Sequence, residues 1–148
     1  MIWIEKDLKQ VIENKEFIDT VLVPLTPISF NEHDVKLANQ VEDLGILLNE
    51  LERQYRGRVI VTPPFSYLID ESNKVNRLNE WGNMFRENGM KNIFFVTCDF
   101  EWEGLETDFT DNIMWIPSLD LASFDMTTQK TIVSKHIEHL ITIFSKKW

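Results

Sequence analysis

The sequence predicts an α/β fold: a three-layer sandwich in which a small, mainly parallel sheet of about four strands is flanked by helices. Three observations carry that expectation. Short β-branched apolar runs at Thr20–Leu25, Arg58–Thr62, Asn92–Thr97 and Asn112–Ile116 read as strands buried on both faces. Segments of helical period separate the first three, and such strand-helix-strand steps need right-handed crossovers that leave the strands parallel. The chain of 148 residues has no repeat, low-complexity tract or Gly/Ser-rich linker, so one domain is expected over residues 1–148.

The elements follow in order. Leu8, Val11 and Ile12 recur at helical spacing among charges, which predicts a short amphipathic helix over about 5–16. Thr20–Leu25 is the first strand, closed by proline. Leu37, Val41, Leu44, Leu48, Leu51 and Tyr55 then mark one face of the longest helix, with Ser29, Asn31 or Asp34 as candidate N-caps and Gly57 as a C-terminal stop. The second strand ends at Pro63-Pro64, where the chain is read as turning. A third helix starts near Ser72 or Asn73, turns Val75, Leu78 and Phe85 inward and ends at Gly89. After the third and fourth strands, Ile132, Val133, Ile137, Leu140, Ile141 and Phe144 define a last helix from about Thr128 to Phe144.

Composition narrows the function. Twenty-four acidic against 15 basic residues give a net charge of −9, which repels phosphate backbones and anionic lipids; no nucleic acid and no membrane is expected as a partner. The opening Met1-Ile-Trp-Ile-Glu-Lys-Asp7 has no basic region ahead of an apolar stretch, and no segment is long enough to cross a bilayer. The one cysteine, Cys98, cannot form an internal disulfide and fits a reducing compartment, so a cytoplasmic protein is expected.

In parallel sheets, ligands bind beyond the carboxyl ends of the strands. Three groups of residues fall there or nearby. Between Lys91 and Lys130 there is no Lys or Arg, and Asp99, Glu101 and Glu103 would share one side of an extended loop, a donor set suited to a hard divalent cation. His33, beside Glu32 and Asp34, is a candidate acid/base or metal ligand, although the same residues fit a capped first helical turn. His136 and His139 stand at i, i+3 in the last helix without the acid of a zinc motif. Trp3, Trp102 and Trp148 are the candidate anchors of an interface, with core packing as the other reading. No G-x-G-x-x-G, P-loop or G-x-S-x-G signature is present; no cofactor is expected unless a divalent metal joins those carboxylates.

The opening Met-Ile-Trp-Ile-Glu-Lys-Asp-Leu, the segment Asp19-Thr-Val-Leu-Val-Pro-Leu-Thr-Pro-Ile-Ser-Phe30 and the segment Val61-Thr-Pro-Pro-Phe-Ser-Tyr67 together resemble an uncharacterised domain-of-unknown-function family of Bacillus-like Firmicutes. A second resemblance, in the rhythm of strand, long helix, Arg58-Val-Ile-Val-Thr-Pro-Pro-Phe65, helix and Gly89-Met-Lys-Asn-Ile-Phe-Phe-Val-Thr97, is to creatininase-type amidohydrolases. Those enzymes hold two divalent metals at strand ends through a Glu-x-His pair, an Asp and a His-x-Glu. The resemblance places Asp99 and Glu101 at the His-x-Glu position, while Ser29-Phe-Asn31 stands where Glu-x-His is needed. It implies a degenerate, non-catalytic binding or interaction domain. The alternative is a metal-dependent amidohydrolase with Asp99, Glu101 and Glu103 as ligands and His33 as acid/base. A protein or small-molecule partner is left open, as is a homodimer.

Overall fold

The computed structural model describes residues 1–148, and the sandwich is there. Its elements are α1 (Glu5–Glu13), β1 (Thr20–Ile28), α2 (Leu37–Gln54), β2 (Val59–Val61), β3 (Phe65–Leu68), α3 (Lys74–Glu87), β4 (Asn92–Thr97), β5 (Ile113–Trp115) and α4 (Met126–Ser145). All strand pairs are parallel, in the order β2-β1-β4-β5, with β3 also paired to β1.

Strand alternation sorts the core onto the two faces of the sheet. Val21, Val23 and Leu25 of β1 join Phe65, Tyr67, Ile93 and Phe95 under α1 and α3, with Val11, Leu78 and Phe85. Leu22 joins Val59, Phe94, Val96 and Met114 under α2 and α4, with Leu44, Leu48, Ile137, Leu140 and Phe144. The first strand is central because it is apolar on both sides, as its sequence requires.

Pro63-Pro64 does not end the sheet. Leu22 pairs with Val61 and Leu25 with Phe65, so two residues of β1 face three of the edge, a one-residue bulge. The bulge has a consequence for side-chain direction: without the extra residue, Phe65 and Tyr67 would turn to the opposite face. Thr62 N donates to Leu22 O, so the same edge of Pro24, which has no N–H, looks at this interruption and no ladder bond is lost. The expected turn is therefore a broken edge strand, β2 plus β3.

Both halves of that edge are capped. Met1 donates its N to Val59 O at 2.8 Å and accepts from Val61 N at 2.9 Å. Its ammonium lies 2.7 Å from buried Glu52. Burial pushes the Glu52 carboxyl up, but the ammonium and Arg56 outweigh it and hold the group below the usual range. Along β3, Arg77 donates to Ser66 O and pairs with Glu71, which accepts from Leu68 N. Exposed strand edges are usually blunted in some such way.

Helix ends follow local chemistry. Gly89, at φ 89°, closes α3 with a double bond pattern, Met90 N to Phe85 O and Gly89 N to Arg86 O, as the sequence predicts. Gly82 is also required, because a Cβ there would lie 2.2 Å from the Phe109 ring. Gly57 has no such role: α2 ends at Tyr55, whose N bonds to Leu51 O and Glu52 O, and Gly57 is not in the left-handed region. Asp125 caps α4 by accepting from Thr128 N, starting the helix two residues before Thr128. Asp43 of α2, 3% exposed, accepts from Ser118 Oγ and from the backbone N of Leu119, Asp120 and Leu121. This one carboxylate ties α2 to the connection that follows β5.

Candidate functional site

The carboxyl end of the sheet presents two segments, the acidic stretch after β4 and the turn after β1. Asp99 begins the first, and Phe100–Gly104 is a 3₁₀ turn rather than the extended loop expected. Its cause is local: Asp99 Oδ1 accepts from Glu101 N as an N-cap, and the three-residue period puts Trp102 beneath Asp99, where it is 1% exposed. Alternation is lost, so Asp99, Glu101 and Glu103 do not project to one side.

Each of the first two carboxylates has a partner within the chain. Tyr67 donates its hydroxyl to Asp99 Oδ2 at 2.7 Å. Burial, then this bond, raises the phenol well above its ordinary range. Lys74, 4% exposed, sets its Nζ 2.9 Å from Glu101 Oε2 and faces the Tyr67 and Trp102 rings at 5.2 and 5.5 Å. Glu103 is exposed. Trp102 also meets Tyr67 edge to face at 5.3 Å, although its Nε1 finds no acceptor. No principal concavity is lined by Lys74, Asp99, Glu101 or Trp102. Across the whole chain, no three His, Cys, Asp or Glu side chains gather as a cation would require.

The other candidates are dispersed. His33 is exposed on the 3₁₀ turn Glu32–Asp34, its Nε2 3.6 Å from Glu32. Asn31 caps that turn by accepting from His33 N, but the turn stands apart from α2, which begins at Leu37 with no side-chain cap, so Ser29, Asn31 and Asp34 do not cap the long helix. His136 is half-buried and His139 exposed; burial, then the second imidazole, lowers the first. Cys98 is buried, and burial with the nearby Asp43 charge pushes its thiol up to about 12, the state of an unreactive cysteine. Trp102 is a core residue. Trp148 packs on Tyr55 and Phe144, lies 4.2 Å from Arg58 and donates to Thr20 Oγ1, leaving Trp3 as the exposed one of the three, at 43%.

What the sequence did not announce is an open apolar surface beside the turn after β1. On the α2 side of the sheet, the residues in register with Leu22 are Pro24, Thr26 and Ile28 of β1, then Ser66 and Leu68 of β3. Neither α2 nor α4 covers the outer row: Ile28, Pro64, Ser66 and Leu68 are exposed, Leu68 by 55%. A groove of about 260 Å³ runs there, floored by Pro24 and Thr26 and walled by Gly45 and Leu48 of α2 and Thr62 and Pro64 of the bulge. Val41 also lines a second concavity of about 640 Å³, beside Phe30 and Val35. Ile28 lines that one and a third, against Leu68 and Arg77. Phe30 is fully exposed and Val35 is 71% exposed. Large apolar side chains gathered along neighbouring concavities are a mark of binding surfaces. Two signals in the sequence pointed here: the alternation Phe65-Ser-Tyr-Leu68 and the glycine at position 45, in mid-helix.

Among curated proteins, the chain is 26% identical over 151 aligned positions to the "Uncharacterized protein YpiF" of Bacillus subtilis (strain 168), with 100% of this chain and 98% of that one covered. No solved structure matches it. No helix is long and apolar enough to cross a membrane. The model of the family described as "Protein of unknown function (DUF2487)" matches residues 9–148, the whole of the sheet and three of the four helices entire, and the chain belongs to that family.

Proposed function

We propose that this chain is a cytoplasmic, non-catalytic α/β interaction domain, which binds a protein partner on the uncovered α2 side of β1 and β3. One observation carries the reading: a two-strand portion of sheet face, with exposed Ile28 and Leu68, lies beside a helix and has no layer over it. A three-layer fold normally buries such a face. The closure of Asp99 and Glu101 on Tyr67 and Lys74 supports the non-catalytic part, because the polar groups at the strand ends already have partners.

The test is site-specific photo-crosslinking in the cell of origin, with the crosslinking residue placed at Leu68 or, as control, at exposed Lys9 on α1. A discrete adduct from Leu68 that Lys9 does not give is expected. The same pattern from both positions, or none from Leu68, contradicts the proposal.

The alternative amidohydrolase, with Asp99, Glu101 and Glu103 around a metal and His33 as acid/base, makes a different demand. Manganese, zinc, magnesium or calcium would have to raise the unfolding midpoint of the chelator-treated protein, and Asp99→Asn/Glu101→Gln would have to abolish the rise.

A further inference from the structure

We propose that the occupant of this groove is an amphipathic helix of another protein, with an apolar stripe flanked by Lys or Arg; the inference rests on the interaction-domain reading above. Four observations on different parts of the molecule lead to it.

The first is the vacancy in the layer. On this face α2 and α4 pack over β1, β4 and β5, and no residue of β3 belongs to the core beneath them. The element that would complete the layer is a helix lying beside α2 over the exposed Ile28, Ser66 and Leu68.

The second is Gly45. It lies in the middle of α2, is exposed, and has nothing within 4 Å of where a Cβ would be. Its φ is not positive, so the backbone does not need glycine. Glycine there weakens the helix relative to alanine, with no compensating contact inside the chain. A backbone approaching closely from outside supplies the missing reason, since small residues let helices pack at short range.

The third excludes an added strand. Peptides that extend a sheet need free N–H and C=O groups on its edge. Here Met1 occupies the outer edge of β2, and Arg77 and Glu71 engage Ser66 O and Leu68 N of β3. The occupant lies on the face, not along the edge.

The fourth is charge. Glu32, Asp34 and Glu42 line the second concavity, and Lys36 is the one Lys or Arg between residues 29 and 52. A second copy of this chain, at net charge −9, would set acid against acid. Basic flanks on the partner would instead meet this rim favourably and speed its encounter.

The probe is a fluorescent synthetic helix of about 18 residues, roughly 27 Å long, built of Leu and Lys with the leucines on one stripe. It is titrated against the full chain by anisotropy, beside a scrambled peptide of the same composition and a Leu/Glu version of the stripe. The striped Lys peptide is expected to bind, more weakly as salt is raised. The scrambled and Glu peptides should bind at least about tenfold more weakly. Gly45→Gln, which keeps a good helix former and the net charge, should also cost the striped peptide at least about tenfold. Gly45→Ala serves as the folded control. Equal binding of striped and scrambled peptides, preference for the Glu version, or indifference to Gly45→Gln overturns the inference. If that happens while the Leu68 crosslink persists, the partner is of another class and the interaction reading stands. If the Leu68 crosslink is also absent, both fall.

Discussion

The stretch after β4 and the turn after β1 leave the same carboxyl edge of the sheet and end in opposite states. The first carries the densest acid in the sequence, yet Asp99 bonds to Tyr67, Glu101 pairs with Lys74, and Trp102 lies in the core. The second has ordinary composition and leaves Ile28, Phe30 and Val35 to solvent beside a groove. Charge density along a chain is thus a poor guide to a working surface, because carboxylates find partners in helix caps and lysines as readily as in ligands. Unburied apolar area has no such internal outlet, since every remaining way of covering it lies outside the molecule.

The contrast can be strained from the closed side first. Trp102→Ala removes a 1% exposed indole packed against Tyr67 and Phe65, and should cost about 4 kcal/mol, or roughly 12 °C in the unfolding midpoint. A loss below about 1 kcal/mol would mean that the acidic turn is not anchored as described.

Tyr67→Phe should cost about 1 kcal/mol at neutral pH by leaving Asp99 without its donor. It also has a pH signature. The phenol is raised in the folded state, so its stabilisation is full below about 10, the unfolded value, and is lost as pH rises beyond it. Urea unfolding between about pH 9 and 11 should therefore show a falling stability in the parent protein and a flatter one in Tyr67→Phe.

On the open side the signs differ. Gly45→Ala should raise stability by about 0.5–1 kcal/mol, because nothing within the chain needs the glycine. Leu68→Ser should change stability by less than about 0.5 kcal/mol, as expected of an exposed side chain with no intramolecular task. Substantial destabilisation by either would show that the groove is held closed in solution.

Much of the fold was legible because it rests on periodicity. The alternating four- and three-residue steps from Leu37 to Tyr55 gave α2, and the apolar runs gave β1, β2, β4 and β5. Gly89 marks the stop of α3 in the sequence as in the structure, since a left-handed closing residue leaves a strong mark in sequence. The strand β3 is hidden in the sequence, although Phe65-Ser-Tyr-Leu68 alternates. Proline punctuation argues for a turn, and a bulge that keeps register across it is a property of the pair of strands. The capped 3₁₀ turn at Asp99 is hidden for a related reason: whether Trp102 is buried decides the local period, and that depends on Tyr67 and Phe65 far away in sequence. Asp43 gave no signal at all, because three of its four donors are backbone N–H groups. The groove leaves only indirect marks in the sequence, the alternation Phe65–Leu68 and Gly45, because it is defined by where no helix of this chain lies.

The most direct test of the central claim is hydroxyl-radical footprinting of the protein inside its own cells, compared with the purified chain. Phe30 and Leu68 report the open groove, and Phe100, 66% exposed on the acidic turn, reports the closed segment. Lower labelling of Phe30 and Leu68 in the cell, with Phe100 unchanged, is the predicted result. Protection of Phe100 with Phe30 and Leu68 labelled as fully as in the purified protein would contradict it, and would return the search to the acidic turn.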